Sequence, residues 1–261
     1  MVLVDFFVVT LSCFIASLFV MSSAFIVSII TKRIGVADAA WGLTFIAVGI
    51  AALVTTRAFS VPMIVSLLLV IVWGSRLAYH VIRRLVHARE DDRRYTELAK
   101  KWPAKHKHIQ LFSRVFFVQS VLAVIVMIPV IVVAITRDQG NIFLTAVGAF
   151  IWVAGFLIES VADKQLARFV RHNPGKLMHR GLWQYSRHPN YFGEIVQWFG
   201  IAVIALGVPG GWLGLIGPLT ITALIIFISG IPPAEKNMSK KPEWKDYASR
   251  TSVLIPLPPR S

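Results

Sequence analysis

The chain has 261 residues, of which 56% are hydrophobic and 15% charged, with a mean hydropathy of +0.68. Soluble domains carry about 25% charged residues, so an ordinary soluble domain, a disordered chain and a collagen-like repeat are excluded; a disulfide scaffold is excluded as well, because Cys13 is the only cysteine. The formal net charge of +14, from 27 basic and 13 acidic residues, would point to nucleic acid in a soluble protein, whereas in a membrane protein it reports which side the loops face.

A membrane-spanning helix needs about 20 mainly apolar residues. Phe6 to Ile30 carries no charge and ends at Lys32 and Arg33. It lacks a basic start and is too long for the core of a signal peptide, so it reads as a retained helix. Further spans are expected at about Ala39–Thr56, Val61–Val81, Val115–Thr136 and Ile142–Ala162. The block from Ile195 to Ile231 is too long for one span, and Gly207-Val208-Pro209-Gly210-Gly211 breaks it into a tight hairpin. The expectation is an all-α polytopic membrane protein of about seven transmembrane helices.

The basic residues orient it. With the amino terminus outside and the carboxyl terminus cytoplasmic, the inner segments hold two at 32–33, ten over 83–114, six over 164–187 and six over 236–260, which is 24 of the 27. Only Arg57 and Arg137 fall outside, and Arg76 lies within a span. That distribution satisfies the positive-inside rule, and the inverted arrangement violates it. There is no internal repeat and no low-complexity linker, so 1–261 reads as one integral membrane domain. Its polar material lies in three stretches, about 82–114, 163–193 and 232–261.

The first stretch interleaves Glu90, Asp91 and Asp92 with arginines. Beside a helix end the mixture reads either as a solvated loop touching anionic lipid headgroups or, since carboxylates weaken such a patch, as a preorganised polar site in which arginine grips phosphate. In the second stretch, Asp163, Lys164, Arg168 and Arg171 follow the fifth span over two helical turns, while Glu159 lies deeper, where an ionisable group is costly. A turn at Asn173-Pro174-Gly175 leads to Tyr185-Ser186-Arg187-His188-Pro189-Asn190-Tyr191-Phe192-Gly193-Glu194 at the entrance of an apolar run. Pro189 favours a helix start, and a helix amino terminus is a natural anion site. In the third stretch Glu235 could complete a site with Arg187 and Asn190. Trp244 and Tyr247, at i and i+3, predict a short amphipathic helix packed on the membrane face.

The run Ser186–Glu194, the cluster Asp163–Arg171 and the ending Asp246-Tyr247 … Ile255-Pro256 resemble the steroid 5α-reductase superfamily, in particular its bacterial membrane-protein branch. The resemblance is strong over about the last 100 residues and compatible upstream. It implies a seven-helix reductase of the bacterial cytoplasmic membrane that uses NADPH to saturate a carbon–carbon double bond conjugated to a carbonyl in a steroid or other lipid. Substrate-side helices would occupy about 1–110 and the cofactor region about 140–261. Carried over by position, Asp91, Arg94, Asp163, Arg168, Arg171, Tyr185, Arg187, His188, Asn190, Tyr191, Glu194 and Glu235 are the implied cofactor residues.

No Gly-rich fingerprint follows a strand, so a dinucleotide fold of that type is excluded and side chains would have to hold the phosphates. Polarising an enone needs a hydrogen-bond donor at the carbonyl oxygen. Tyr79 and His80 on the third span are candidates, with Asp38 able to hold or proton-couple that donor. The steroid enzymes carry a Gln-Glu pair on the second helix, where this chain has Val36-Ala37-Asp38-Ala39-Ala40-Trp41-Gly42.

Two other readings stay open: a methyltransferase of the isoprenylcysteine carboxyl type, which shares an Arg-His-Pro-x-Tyr element and binds S-adenosylmethionine, and a non-catalytic lipid-binding protein on a reductase scaffold. The histidine spacings, 106/108 and 172/179, form no recognisable metal site, and no serine lies in a nucleophile motif.

Overall fold

The computed structural model describes residues 2–87 and 103–260. Asp91 and Arg94, two of the expected cofactor residues, lie outside the described residues. The described chain is helical: α1 (Val2–Thr31), α2 (Val36–Thr56), α3 (Val61–His87), α4 (Lys107–Val126), α5 (Ile128–Thr136), α6 (Ile142–His172), α7 (Pro189–Ala205), α8 (Gly211–Met238, interrupted near Gly230) and α9 (Trp244–Arg250). Among the described residues, six helices are long and apolar enough to cross a membrane: α1, α2, α3, α4, α6 and α8. The protein is an integral, multi-pass membrane protein.

Two differences from the expected spans have local causes. The stretch expected as one helix over Val115–Thr136 is divided. Pro129 has no N–H to offer a helical bond, and its ring clashes with the carbonyl four residues back. The helix therefore opens at Met127 (φ −81°, ψ 2°) and restarts with the proline in its first turn. The crossing segment is Lys107–Val126 instead, and it contains a wide turn over Phe112–Phe117. The hairpin forms about its Gly/Pro turn, with Gly210 in the left-handed region at φ 71°, but α7 has 17 residues and is the member of the seven that falls outside the six.

The chain divides into two compact units. The first comprises Met1–Thr145 and Ile204–Gly217. Its interior is apolar: Met21, Ala24, Ala37, Ala40, Leu111, Val115 and Phe116 pack together, and Phe45 lies edge-on to both Trp41 and Trp73, with centroids 4.8 and 5.3 Å apart. Gly42 of α2 meets Gly74 of α3 so closely that a β-carbon on Gly42 would strike the Gly74 carbonyl. Small residues of this kind let membrane helices approach where no hydrophobic effect drives them together. The helix-end residues Lys32, Arg57 and Arg137 have positive φ (57°, 53° and 51°), a conformation that costs a side chain about 1 kcal/mol.

The second unit comprises Ala146–Val203 and Pro218–Ser261. Its frame is the antiparallel contact of α6 and α7, set by glycines seven residues apart on each helix. A β-carbon on Gly193 would lie 2.6 Å from the Gly155 carbonyl oxygen and the Glu159 nitrogen, and one on Gly200 would lie 2.6 Å from the Gly148 carbonyl oxygen. Helix α6 has 31 residues and is therefore about 46 Å long, against a hydrocarbon core of about 30 Å. Its last turns, which carry Lys164, Arg168 and Arg171, extend beyond any apolar layer.

Candidate functional site

The motif Ser186–Glu194 sits where the chain enters α7, and the tail of the protein is folded onto it. Ser186 pairs with Ser252 in a parallel β-bridge. Arg187 N–H donates to the Ser252 carbonyl (2.8 Å), Ser186 Oγ to the Leu254 carbonyl (2.7 Å) and Leu257 N–H to the Tyr185 carbonyl (3.0 Å). Tyr247 of α9 is buried and donates its hydroxyl to the Trp183 carbonyl at 2.6 Å. Trp183 in turn donates from Nε1 to the Ala162 carbonyl of α6 (3.1 Å), and Gln165 of α6 accepts from Leu182 N–H (3.0 Å). The loop 181–188 is thus held between α6 and the tail.

Arg187 is the hub. It is buried; its Nε donates to Glu235 Oε1 at 2.9 Å, its Nη1 donates to the Ala248 carbonyl at 2.8 Å, and its guanidinium carbon lies 5.2 Å from the centre of the Trp244 ring. A planar fork can serve three partners in this way, as a lysine cannot. Trp244 and Tyr247 both contact the protein at this corner. The arginine fork lies over the indole ring and a backbone carbonyl accepts from the phenol, so each aromatic has a polar partner.

His188 is buried at 2% exposure, stacks on Tyr191 (centroids 5.3 Å apart, 12° between planes) and places Nε2 3.4 Å from Glu235 Oε1. Burial, the largest influence, lowers its pKa from the usual histidine value; Glu235 opposes this by charge and hydrogen bond, and Arg187 adds to the lowering. For Tyr247, burial raises the phenol well above its ordinary value, against the pull of Arg187 and with a push from Glu235.

In the first turn of α7, Asn190 donates from Nδ2 to Asp163 Oδ1 of α6 at 3.2 Å, and its own Oδ1 is buried with no partner among the described residues. Tyr191 and Glu194 are half-buried on the same helix, and Tyr185 is exposed at its entrance. Arg168 and Arg171 are exposed on α6 and make no ion pair among the described residues. The second unit therefore brings together Asp163, Arg187, His188, Asn190, Tyr191 and Glu235. It keeps an acceptor-rich interior near Asn190 and a basic turn at Lys164, Arg168 and Arg171. That division suits a ligand with hydroxyl or amide groups at one end and phosphates at the other.

The remaining expected residues belong to the first unit. Asp38 is half-buried and lies 3.5 Å from Arg84 Nη2. Tyr79 is 66% exposed and His80 is exposed on α3, so neither faces an enclosed space among the described residues. Sequence reasoning missed three participants: Gln197, buried at 1% and hydrogen-bonded to Glu159; Trp244; and the backbone of Ala248–Leu254.

Residues 24–251 match the protein family described as "Protein of unknown function (DUF1295)". Among curated proteins, the chain is 38% identical over 69 residues to a steroid 5-alpha-reductase DET2 of Gossypium hirsutum, covering 26% of this chain and 25% of the relative. It is 37% identical over 115 residues to a 3-oxo-5-alpha-steroid 4-dehydrogenase 1 of Macaca fascicularis, covering 42% and 40%, and 36% identical over 119 residues to the protein so named in Bos taurus, covering 44% and 42%. The chain thus spans between a quarter and about two-fifths of the length of these relatives. No solved structure matches. With a family match over most of its length and these reductase relatives, the chain belongs to the DUF1295 family of the steroid 5α-reductase superfamily.

Proposed function

We propose that the protein is an NADPH-dependent membrane reductase that saturates a carbon–carbon double bond conjugated to a carbonyl in a lipid substrate. It would have seven spans, the amino terminus outside and the carboxyl terminus cytoplasmic, in a bacterial cytoplasmic membrane. The observation that carries the reading is the assembly of buried Arg187 and His188 with half-buried Asn190 and Glu235 at the start of α7, in a chain whose relatives are named as a steroid 5-alpha-reductase and a 3-oxo-5-alpha-steroid 4-dehydrogenase. The Asn190 Oδ1, without a partner among the described residues, and the exposed Arg168 and Arg171 fit the two ends of a phosphorylated dinucleotide. When bound, NADPH supplies a hydride.

In this reading Arg168 and Arg171, with Asp91 and Arg94 of the preceding polar stretch, form the phosphate-side and ribose-side contacts. Asp163 fixes the Asn190 amide so that its carbonyl points at the ligand. Arg187 and Glu235 are spent on each other and on the tail, so they shape the site and hold its entrance, with Tyr185 at the rim. The stacked His188 and Tyr191 and the neighbouring Glu194 line the path beside Asn190. Asp38, Tyr79 and His80 are the proposed group that polarises the substrate carbonyl.

The test is purified protein in lipid, given NADPH and a 3-oxo-4-ene steroid or a lipid extract and read by mass spectrometry. The reading requires NADPH binding and a product heavier by two hydrogens. Tight binding of S-adenosylmethionine with no response to NADPH would replace it with methyl transfer. Binding of lipid without either cofactor would make the protein a non-catalytic one.

A further inference from the structure

Helix α7 presents two carboxamides, Asn190 and Gln197, seven residues and so two turns apart on one face. Each donates its NH2 group to a carboxylate of α6: Asn190 to Asp163 at 3.2 Å, and Gln197 to Glu159 at 2.6 Å. Gln197 Nε2 also donates to the Gly193 carbonyl at 3.3 Å. Both amide oxygens are buried and accept no hydrogen bond among the described residues. Gln197 is 1% exposed and Glu159 6%, and Gln197 lies about 12 Å beyond the start of α7, beside the apolar part of α6.

This second rung is not needed to join the helices, because the glycine contacts at 148, 155, 193 and 200 already bring the backbones together. A buried acceptor left without a donor is costly in an apolar interior, and polar groups inside membrane helices mark sites of function. With both amide hydrogens engaged, Gln197 can offer only its carbonyl oxygen. It can therefore accept from a donor, and it cannot hold the oxygen of an enone.

We propose that Gln197, oriented by Glu159, is a specificity residue that accepts a hydrogen bond from a hydroxyl or amide N–H of a ligand held in the second unit. Resting on the reductase reading, this names the ligand chemistry at the deep end of the site. The donor belongs either to a hydroxyl of the lipid substrate or to the carboxamide of the nicotinamide cofactor. It also separates this point from the group that polarises the substrate carbonyl.

The experiment measures binding to the full chain in lipid nanodiscs with two pairs of probes. One pair is a 3-oxo-4-ene steroid bearing a 17-hydroxyl and its 17-deoxy analogue. The other is NADPH and its 3-acetylpyridine analogue, in which a methyl ketone replaces the amide. The wild-type protein prefers the donor-bearing member of one pair by about tenfold or more, and the pair affected identifies the source. Gln197→Met, which removes the acceptor, and Gln197→Asn, which withdraws it by one methylene, both abolish that preference; either variant that keeps the wild-type melting temperature decides. A preference that persists in such a variant, or that is absent for both pairs in the wild-type protein, overturns the proposal and leaves Gln197 a packing residue. Failure of the wild-type protein to bind any of the four probes is instead a failure of the reductase reading, and this proposal falls with it.

Discussion

The two units of the chain are stabilised in different ways. In the first, apolar side chains and a glycine-on-glycine contact dominate, and the buried hydroxyls that form hydrogen bonds do so within their own helix or to one backbone oxygen, as Thr44, Thr56 and Ser17 do. In the second, Arg187, His188, Glu235, Tyr247, Asn190, Glu159 and Gln197 are joined across four segments distant in sequence. An apolar interior tolerates exchanges of similar volume, whereas a polar network loses more than one bond when one member is removed. The cofactor-holding part of the protein is therefore expected in the unit that mutation tolerates least.

The largest effect should follow from Arg187→Ala. It strips Glu235 of its cation and leaves the Ala248 carbonyl without its donor, at a cost of about 2–3 kcal/mol. We expect a lower melting temperature, protease access to residues 244–260 and loss of NADPH binding. Retained protection of the tail would contradict the hub role. Next come the glycines. Gly193→Ala forces α6 and α7 apart, and Gly42→Ala does the same to α2 and α3, each at about 1–3 kcal/mol. If the units differ as argued, the first change removes cofactor binding and the second lowers stability with cofactor binding intact.

A smaller effect concerns pH. The folded-state pKa of His188 is lowered, mainly by burial. The unfolded chain therefore takes up this proton at higher pH than the folded one, and the contribution to stability is present above the unfolded value and fades as pH falls through it. Melting temperature should drop on acidification below about pH 6.5, and His188→Gln should flatten that part of the profile. Smallest in stability are Arg168→Ala and Arg171→Ala. Both side chains are exposed, so folding should change by less than about 0.5 kcal/mol, while preference for NADPH over NADH should fall. An unchanged preference would move the phosphate contact elsewhere.

Much of the helical layout was legible, because a run such as Phe6–Ile30 has no other stable form in a bilayer. Pro129 marked the break in the Val115–Thr136 region, but its apolar neighbours hid it. The proximity of Asp163, Asn190 and Arg187 could be read from their crowding at helix ends. Their tail partners could not be, because Ala248, Thr251 and Leu254 contribute backbone oxygens, which any residue would provide. Gln197 was lost inside an apolar run. The available signal was its spacing of seven from Asn190, matched by Gly193 and Gly200, which places all four on the face toward α6.

The fold of the tail onto residues 185–188 has a consequence for biosynthesis. Arg187 is made well before Glu235, Ala248 and Ser252, so the motif enters the membrane-bound nascent chain with its partners still untranslated. The corner closes only after the last apolar segment has been inserted. A chain interrupted near Trp244 would keep its apolar helices yet lack the enclosure around Arg187, so the site assembles only once residues 248–254 have been made.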